Sequence, residues 1–180
     1  VRTRLRTGAH AKVAAERRPD TLAHLVQAAD VEIVGQDTRL LSARKKLEAA
    51  AKEGQAALVV GQAGTGKRTF ARHYHAVSPQ AGEPYLEVSL AEIEPVAVEA
   101  AIFGIDADPD VHDAVGKTGW LEMLGSGTLV LGHAERLDAH QQHKLATYLK
   151  LGWFHRVYGQ MSVKAGTRVV LLVEASTEAE

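Results

Sequence analysis

The feature that most constrains this chain is an apolar run, Ala56-Ala57-Leu58-Val59-Val60, that leads straight into Gly61-Gln62-Ala63-Gly64-Thr65-Gly66-Lys67. A short apolar run closed by glycines reads as a buried strand, and the G-x-x-x-x-G-K spacing reads as a phosphate-binding loop opening a helix. Glycines let backbone N–H groups close around phosphate oxygens, the helix directs its positive end at them, and Lys67 can reach the outer phosphates. The next residue is Arg68, where the common loop has Ser or Thr to ligand Mg²⁺; Thr69 comes one position late. A glycine-rich turn with no phosphate role would have the same composition. The order strand, loop, lysine, helix favours a nucleotide.

A chain of 180 residues, 46% hydrophobic and 24% charged, is long enough for one main domain with a sizeable core. Cysteine is absent, which excludes disulfides and thiolate metal sites. No segment is long or apolar enough for a membrane span or secretion signal, so a cytoplasmic setting with no membrane partner is expected. The net charge is −1, but Arg2, Arg4, Arg6, Lys12, Arg17 and Arg18 crowd the start. That arm could touch a nucleic-acid backbone. Without aromatic interleaving it reads as solvated, and direct DNA contact is not expected. Residues 1–30 are therefore read as a basic N-terminal arm and helix, the helix starting at Pro19-Asp20-Thr21, and residues 31–180 as the α/β domain.

Asp37 or Thr38 begins a predicted helix carrying Leu40, Ala43, Leu47 and Ala50 on one face, with Gly54 at its end. The predicted order continues with a strand over about 56–60, a helix over about 67–75 and a strand over 85–89. A helix over about 94–103, a loop over 104–116, a strand over 128–131, a helix over about 138–151 and a strand over 168–173 follow. Alternating strands and helices predict a three-layer α/β domain with a mainly parallel sheet.

Several segments together resemble the AAA+ domain of bacterial enhancer-binding proteins, which activate transcription through the sigma factor sigma-54. Gly61 through Arg68 is similar to that family's G-E-S-G-T-G-K-E. Ala71-Arg72-His73-Tyr74-His75 with Ser78-Pro79, Ile102-Phe103-Gly104, Ser126-Gly127-Thr128-Leu129, Gln142-His143-Lys144-Leu145 and Phe154-His155-Arg156-Val157 match further motifs in order. The match runs over about residues 33–175. It implies a P-loop NTPase (AAA+) core, ATP or ADP as ligand, and Val34 and Gly35 near the base. The family's fifth strand, arginine-finger region and helical lid would lie beyond this sequence.

The departures bear on function. The family's G-A-F-T-G-A loop, which grips the sigma factor, falls on Asp108-Pro109-Asp110-Val111-His112-Asp113, where nothing of it survives. At the end of the third strand the family's L-F-L-D-E becomes Leu129-Val130-Leu131-Gly132-His133, removing both the carboxylate near Mg²⁺ and the one that polarises the attacking water. Glu174 is the nearest counterpart of the family's Asn that senses the γ-phosphate. Phosphoryl transfer is catalysed mostly by positioning and charge neutralisation, so efficient hydrolysis is expected to be lost and Mg²⁺ is doubtful.

Other constellations carry less. His140 with His143, and His73 with His75, are common ligand types without a third partner by spacing, and no metal site is expected. Asp106, Asp108 and Asp110 begin like a calcium loop, but Val111 replaces its turn glycine and Lys117 its closing glutamate. Trp120, Leu121, Met123 and Leu124 read as packing beside the third strand, and Trp153 with Phe154 as core or interface packing.

Three functions remain open. The first is a nucleotide-binding regulatory or scaffolding domain that hydrolyses little or nothing and does not remodel sigma-54. Gly61, Gln62, Ala63, Gly64, Thr65, Gly66, Lys67 and Arg68 would hold the ligand, together with Val34 and Gly35, and no residue is assigned a catalytic role. Its partners would be the nucleotide, a protein partner or neighbouring regulatory domain, and a possible homo-oligomer. The second is an active ATPase regulating transcription, with His133 or Glu135 substituting for the lost carboxylates. The third is a protein-interaction module that no longer binds nucleotide.

Overall fold

A computed structural model describes residues 31, 33–107 and 115–175. The basic arm with its helix start at Pro19, the segment 108–113 aligned with the sigma-gripping loop, and most of the calcium-like run lie outside the described residues.

Helix α1, Thr38–Glu53, begins where the Asp37 side chain accepts from the N–H groups of Arg39 and Leu40 at 2.8 and 3.2 Å, and it stops at Gly54 in the left-handed conformation. Strand β1, Ala57–Gly61, the phosphate loop and helix α2, Lys67–Val77, follow. Strand β2, Tyr85–Ser89, passes through a single 3₁₀ turn to helix α3, Pro95–Phe103, whose N1 proline suits the first helical turn. A short helix α4, Trp120–Met123, precedes strand β3, Thr128–Gly132. Helix α5, Ala139–Leu151, starts in a capping box between Asp138 and Gln141. Strands β4, Trp153–His155, and β5, Ser162–Lys164, form a hairpin, and strand β6, Arg168–Glu174, ends the described architecture.

The main sheet is entirely parallel, with order β1-β6-β3-β2. Both faces are covered at β6, β3 and β2, which explains their apolar runs. Along β3, Leu129 and Leu131 point into a core shared with Leu86, Ile102, Phe103, Leu121, Leu145 and Val169. Val130 points to the opposite core, with Leu47, Ala51, Ala71, Tyr74, Val170 and Leu172 beneath α1 and α2. This is the three-layer α/β arrangement expected from the alternation of elements.

Strand β1 lies at a sheet edge, and Leu58 and Val60 are 62% and 58% exposed there. The β4–β5 hairpin was absent from the sequence expectation. Its Phe154 is buried edge-on against Phe103 and Tyr148, with ring centroids at 5.5 and 5.7 Å, so the packing role expected for Phe154 holds. The 104–116 segment is more ordered at its base than a plain loop: Ile105 bridges both Lys117 and Val157. Arg156 pins that base, donating to Asp106 at 2.9 Å and to both carboxylate oxygens of Glu122 at 2.7 Å.

Candidate nucleotide site

The loop between β1 and α2 has the backbone its spacing predicts. Gly64 and Gly66 both have positive φ, 76° and 83°, which a residue with a Cβ adopts only under strain. Gly61 is required for a different reason: a Cβ there would lie 2.7 Å from Thr65 Oγ1. Gly66 caps α2 without any side-chain hydrogen bond, so the orphan N–H groups of the first turn face outward, where the helix dipole favours an anion.

Lys67 Nζ donates to the carbonyls of Gly61 and Gln62, each at 2.7 Å, and Thr65 Oγ1 donates to Gln62 O at 2.8 Å. In this conformation the ammonium is held over the loop by carbonyls alone, with no carboxylate partner among the described residues. Beside it runs a groove of about 940 Å³ between α1 and the exposed edge of β1, lined by Leu40, Ala43, Leu58, Val60, Thr65 and Lys67 among others. It offers an apolar wall continuous with a phosphate cradle, the usual composition of a small-ligand site.

The expected residues do not all converge. Gly61, Thr65 and Lys67 line the groove; Gln62, Ala63 and Gly64 form the exposed crown of the loop above it. Val34 and Gly35 sit ahead of α1, Val34 exposed, and neither lines the groove. The Arg68 guanidinium turns to β2, where its Nε meets Glu87 Oε1 at 2.7 Å, and Arg72 approaches the other oxygen of Glu87 at 3.7 Å. Arg68 can therefore serve the loop through its backbone N–H, while its charge is committed to Glu87. Nothing in the local spacing signals this pairing, since Glu87 is on another strand.

At the carboxyl ends of the neighbouring strands, β3 leaves through Gly132 and His133. His133 occupies left-handed backbone, φ 55°, an unfavourable setting for a residue other than glycine. Its Nδ1 is 3.8 Å from Glu135 Oε1, while Glu135 Oε2 accepts from the backbone N–H of Glu174 at 3.3 Å. A Cβ on Gly132 would make only ordinary contacts, nearest Val88 O at 3.4 Å, so the fold has room for a carboxylate that the sequence does not supply. The donor set expected for a nucleotide-bound Mg²⁺ is therefore incomplete: Gly132 has no side chain and Arg68 stands where a hydroxyl would be.

His73, His75 and His140 have side-chain partners of their own. His73 Nε2 lies 2.9 Å from Glu48, tying α2 to α1, and this contact, followed by Arg44, holds the Glu48 carboxyl below its usual range. His75 Nδ1 lies 2.8 Å from Thr128 Oγ1, and burial lowers its proton affinity. His140 contacts Glu99 at 3.4 Å. Among the described residues no three potential ligands cluster as a metal site would require, and no helix is long and apolar enough to cross a membrane.

Comparison with known proteins agrees with this architecture. The Nif-specific regulatory protein of Rhodobacter capsulatus is 31% identical over 146 residues, covering 81% of this chain and 25% of that protein. The HTH-type transcriptional regulatory protein TyrR of Citrobacter braakii is 35% identical over 113 residues, 63% of this chain and 21% of TyrR. The chain thus spans about a quarter or less of the length of these relatives. Among solved structures, NtrX from Brucella abortus in complex with ADP superposes with a TM-score of 0.67 at 28% identity, over 94% of this chain and 36% of NtrX. The corresponding ATP complex also gives 0.67. The P-loop NTPase domain of an E. coli sigma-54 activator, at 22% identity and a TM-score of 0.51, shares the fold. The sigma-54 interaction domain profile matches residues 33–180, and the chain belongs to that family.

Proposed function

We propose that this domain binds ATP or ADP and works as a regulatory or scaffolding element, with little or no hydrolysis and no remodelling of sigma-54. The observation that carries the reading is the pairing of an intact phosphate loop with a β3 exit that has no carboxylate at position 132 or 133. Phosphate binding draws on backbone N–H groups, a helix N-terminus and one lysine, all present. Hydrolysis needs a held metal and an oriented water, and the side chains for both are missing. His133 is a weak substitute as a base, since it is only half-buried and, among the described residues, its one ion-pair contact is the long one to Glu135.

The nucleotide complexes of NtrX support the choice of ligand, and the absence of the sigma-gripping motif from 108–113 supports loss of remodelling. The signal would leave as an altered contact with a protein partner, a neighbouring domain or a second copy in a cytoplasmic regulator.

Calorimetric titration with ATP and ADP, with and without Mg²⁺, tests the reading against a Lys67→Ala control. Saturable binding lost in the variant, together with no phosphate release, is the expected result. Binding without dependence on Lys67, or no binding, would leave the protein-interaction module; release at ordinary ATPase rates would establish an enzyme.

A further inference from the structure

We propose that Glu135 and Glu174 set the selectivity of this site, making it a receptor for a nucleoside diphosphate in preference to the triphosphate. The inference rests on the nucleotide reading above. The loop lysine reaches the β- and γ-phosphates and so marks the outer end of the nucleotide. Lys67 Nζ and the backbone N–H of Ala175 both donate to the same oxygen, Gly61 O, at 2.7 and 3.1 Å. The ammonium is thereby placed beside the exit of β6, so a third phosphate extends toward the ends of β6 and β3.

That edge is acidic. Glu174 is the register partner of Gly61 and is exposed. Glu135 is tied to the same exit by accepting the Glu174 N–H. Among the described residues the only ion pair either carboxylate makes is the 3.8 Å contact between Glu135 and His133. Arg68, the loop's second cation, is paired with Glu87 on β2. A diphosphate would place its charge on the glycine loop and Lys67. A triphosphate would add charge opposite two carboxylates, with no further cation from the loop, and like charges at close range oppose binding. A bridging metal could reverse that sign, but the carboxylate that the family places near Mg²⁺ is absent here: position 132 is glycine.

The test is calorimetric titration of the whole chain with ADP and with ATP, in EDTA and again with Mg²⁺. It is repeated on Glu174→Gln and on the Glu135→Gln/Glu174→Gln pair. Glutamine at 135 keeps an oxygen to accept the Glu174 N–H, and thermal melts confirm folding. ADP is expected to bind about tenfold or more tightly than ATP in EDTA, a difference of about 1.4 kcal/mol. The double variant should close that gap by improving ATP while leaving ADP unchanged, and Glu174→Gln should close part of it. Equal affinities in the native protein, or a preference that survives in the double variant, would overturn the proposal while leaving nucleotide binding intact. A Mg²⁺-dependent preference for ATP that is lost in the variants would also overturn it and make the carboxylates metal ligands. Failure to bind either nucleotide would remove the underlying reading with it.

Discussion

The exits of β1 and β3 lie on either side of β6 in one parallel sheet, yet they differ in how much of a nucleotide site they carry. At β1 the loop has its left-handed glycines, its uncapped helix and its lysine. At β3 the strand interior is fully buried, while the two positions beyond Leu131 carry a glycine and a histidine in left-handed backbone. Phosphate binding is mainly backbone geometry, so changing it would deform the fold. Metal and water activation depend on side chains at a strand end, which can be exchanged without disturbing the core. On the function proposed here, binding and turnover are separable within one sheet.

The largest effect should come from the part of β3 that packing determines. Leu129→Ala opens a cavity in a fully buried site and should cost about 3 kcal/mol in chemical denaturation; a loss well below 1 kcal/mol would mean that β3 is not the rigid element of this comparison. Next is Lys67→Ala, expected to weaken nucleotide binding about a hundredfold, or about 2.7 kcal/mol, with little change in melting temperature because its partners are only two backbone carbonyls, one at the end of β1 and one in the exposed loop. An equal loss of stability would show that the loop is held by its lysine and not by its glycines.

Gly132→Asp tests the other exit. The space beside Gly132 admits a side chain, so the variant should fold and make ATP affinity about tenfold dependent on Mg²⁺ by calorimetry, as one added carboxylate ligand would. If Mg²⁺ has no effect, a missing carboxylate is not what distinguishes β3 from β1. His133→Gly should relieve the left-handed strain and raise stability by up to about 1 kcal/mol in urea titration. Destabilisation would instead assign His133 a packing role.

The smallest effect is a pH dependence at the opposite end of β3. Burial lowers the proton affinity of His75 in the fold, so at mildly acidic pH the unfolded chain binds more protons than the native one. This contribution is complete above about pH 6.5, the ordinary imidazole value, and is lost as pH falls from there. Denaturation midpoints at pH 7.5 and 5.5 should differ in the native protein, with part of the difference removed in His75→Gln. An unchanged difference would place the titration elsewhere.

Much of this architecture is readable because its signals are local. The apolar run and glycine spacing locate β1 and the loop within a residue of their observed bounds, and Asp37 with Gly54 delimits α1. Hairpin β4–β5 escaped because its strands are three residues long and the one buried residue of β4, Phe154, leaves no periodic pattern. Its strands pair with each other, but its burial depends on Phe103 and Tyr148, which lie on two different helices.

The sequence alone determined the alternation of elements, the phosphate loop and the absence of carboxylates at 132 and 133, since each is a matter of residue type at short spacing. Tertiary structure decided that β6 separates β1 from β3, that β1 stands at an edge, that the charge of Arg68 goes to Glu87, and that Glu135 reaches the backbone of Glu174. These are contacts between residues far apart in the chain. They form only when the strands stack in their final order, and no local pattern encodes that order.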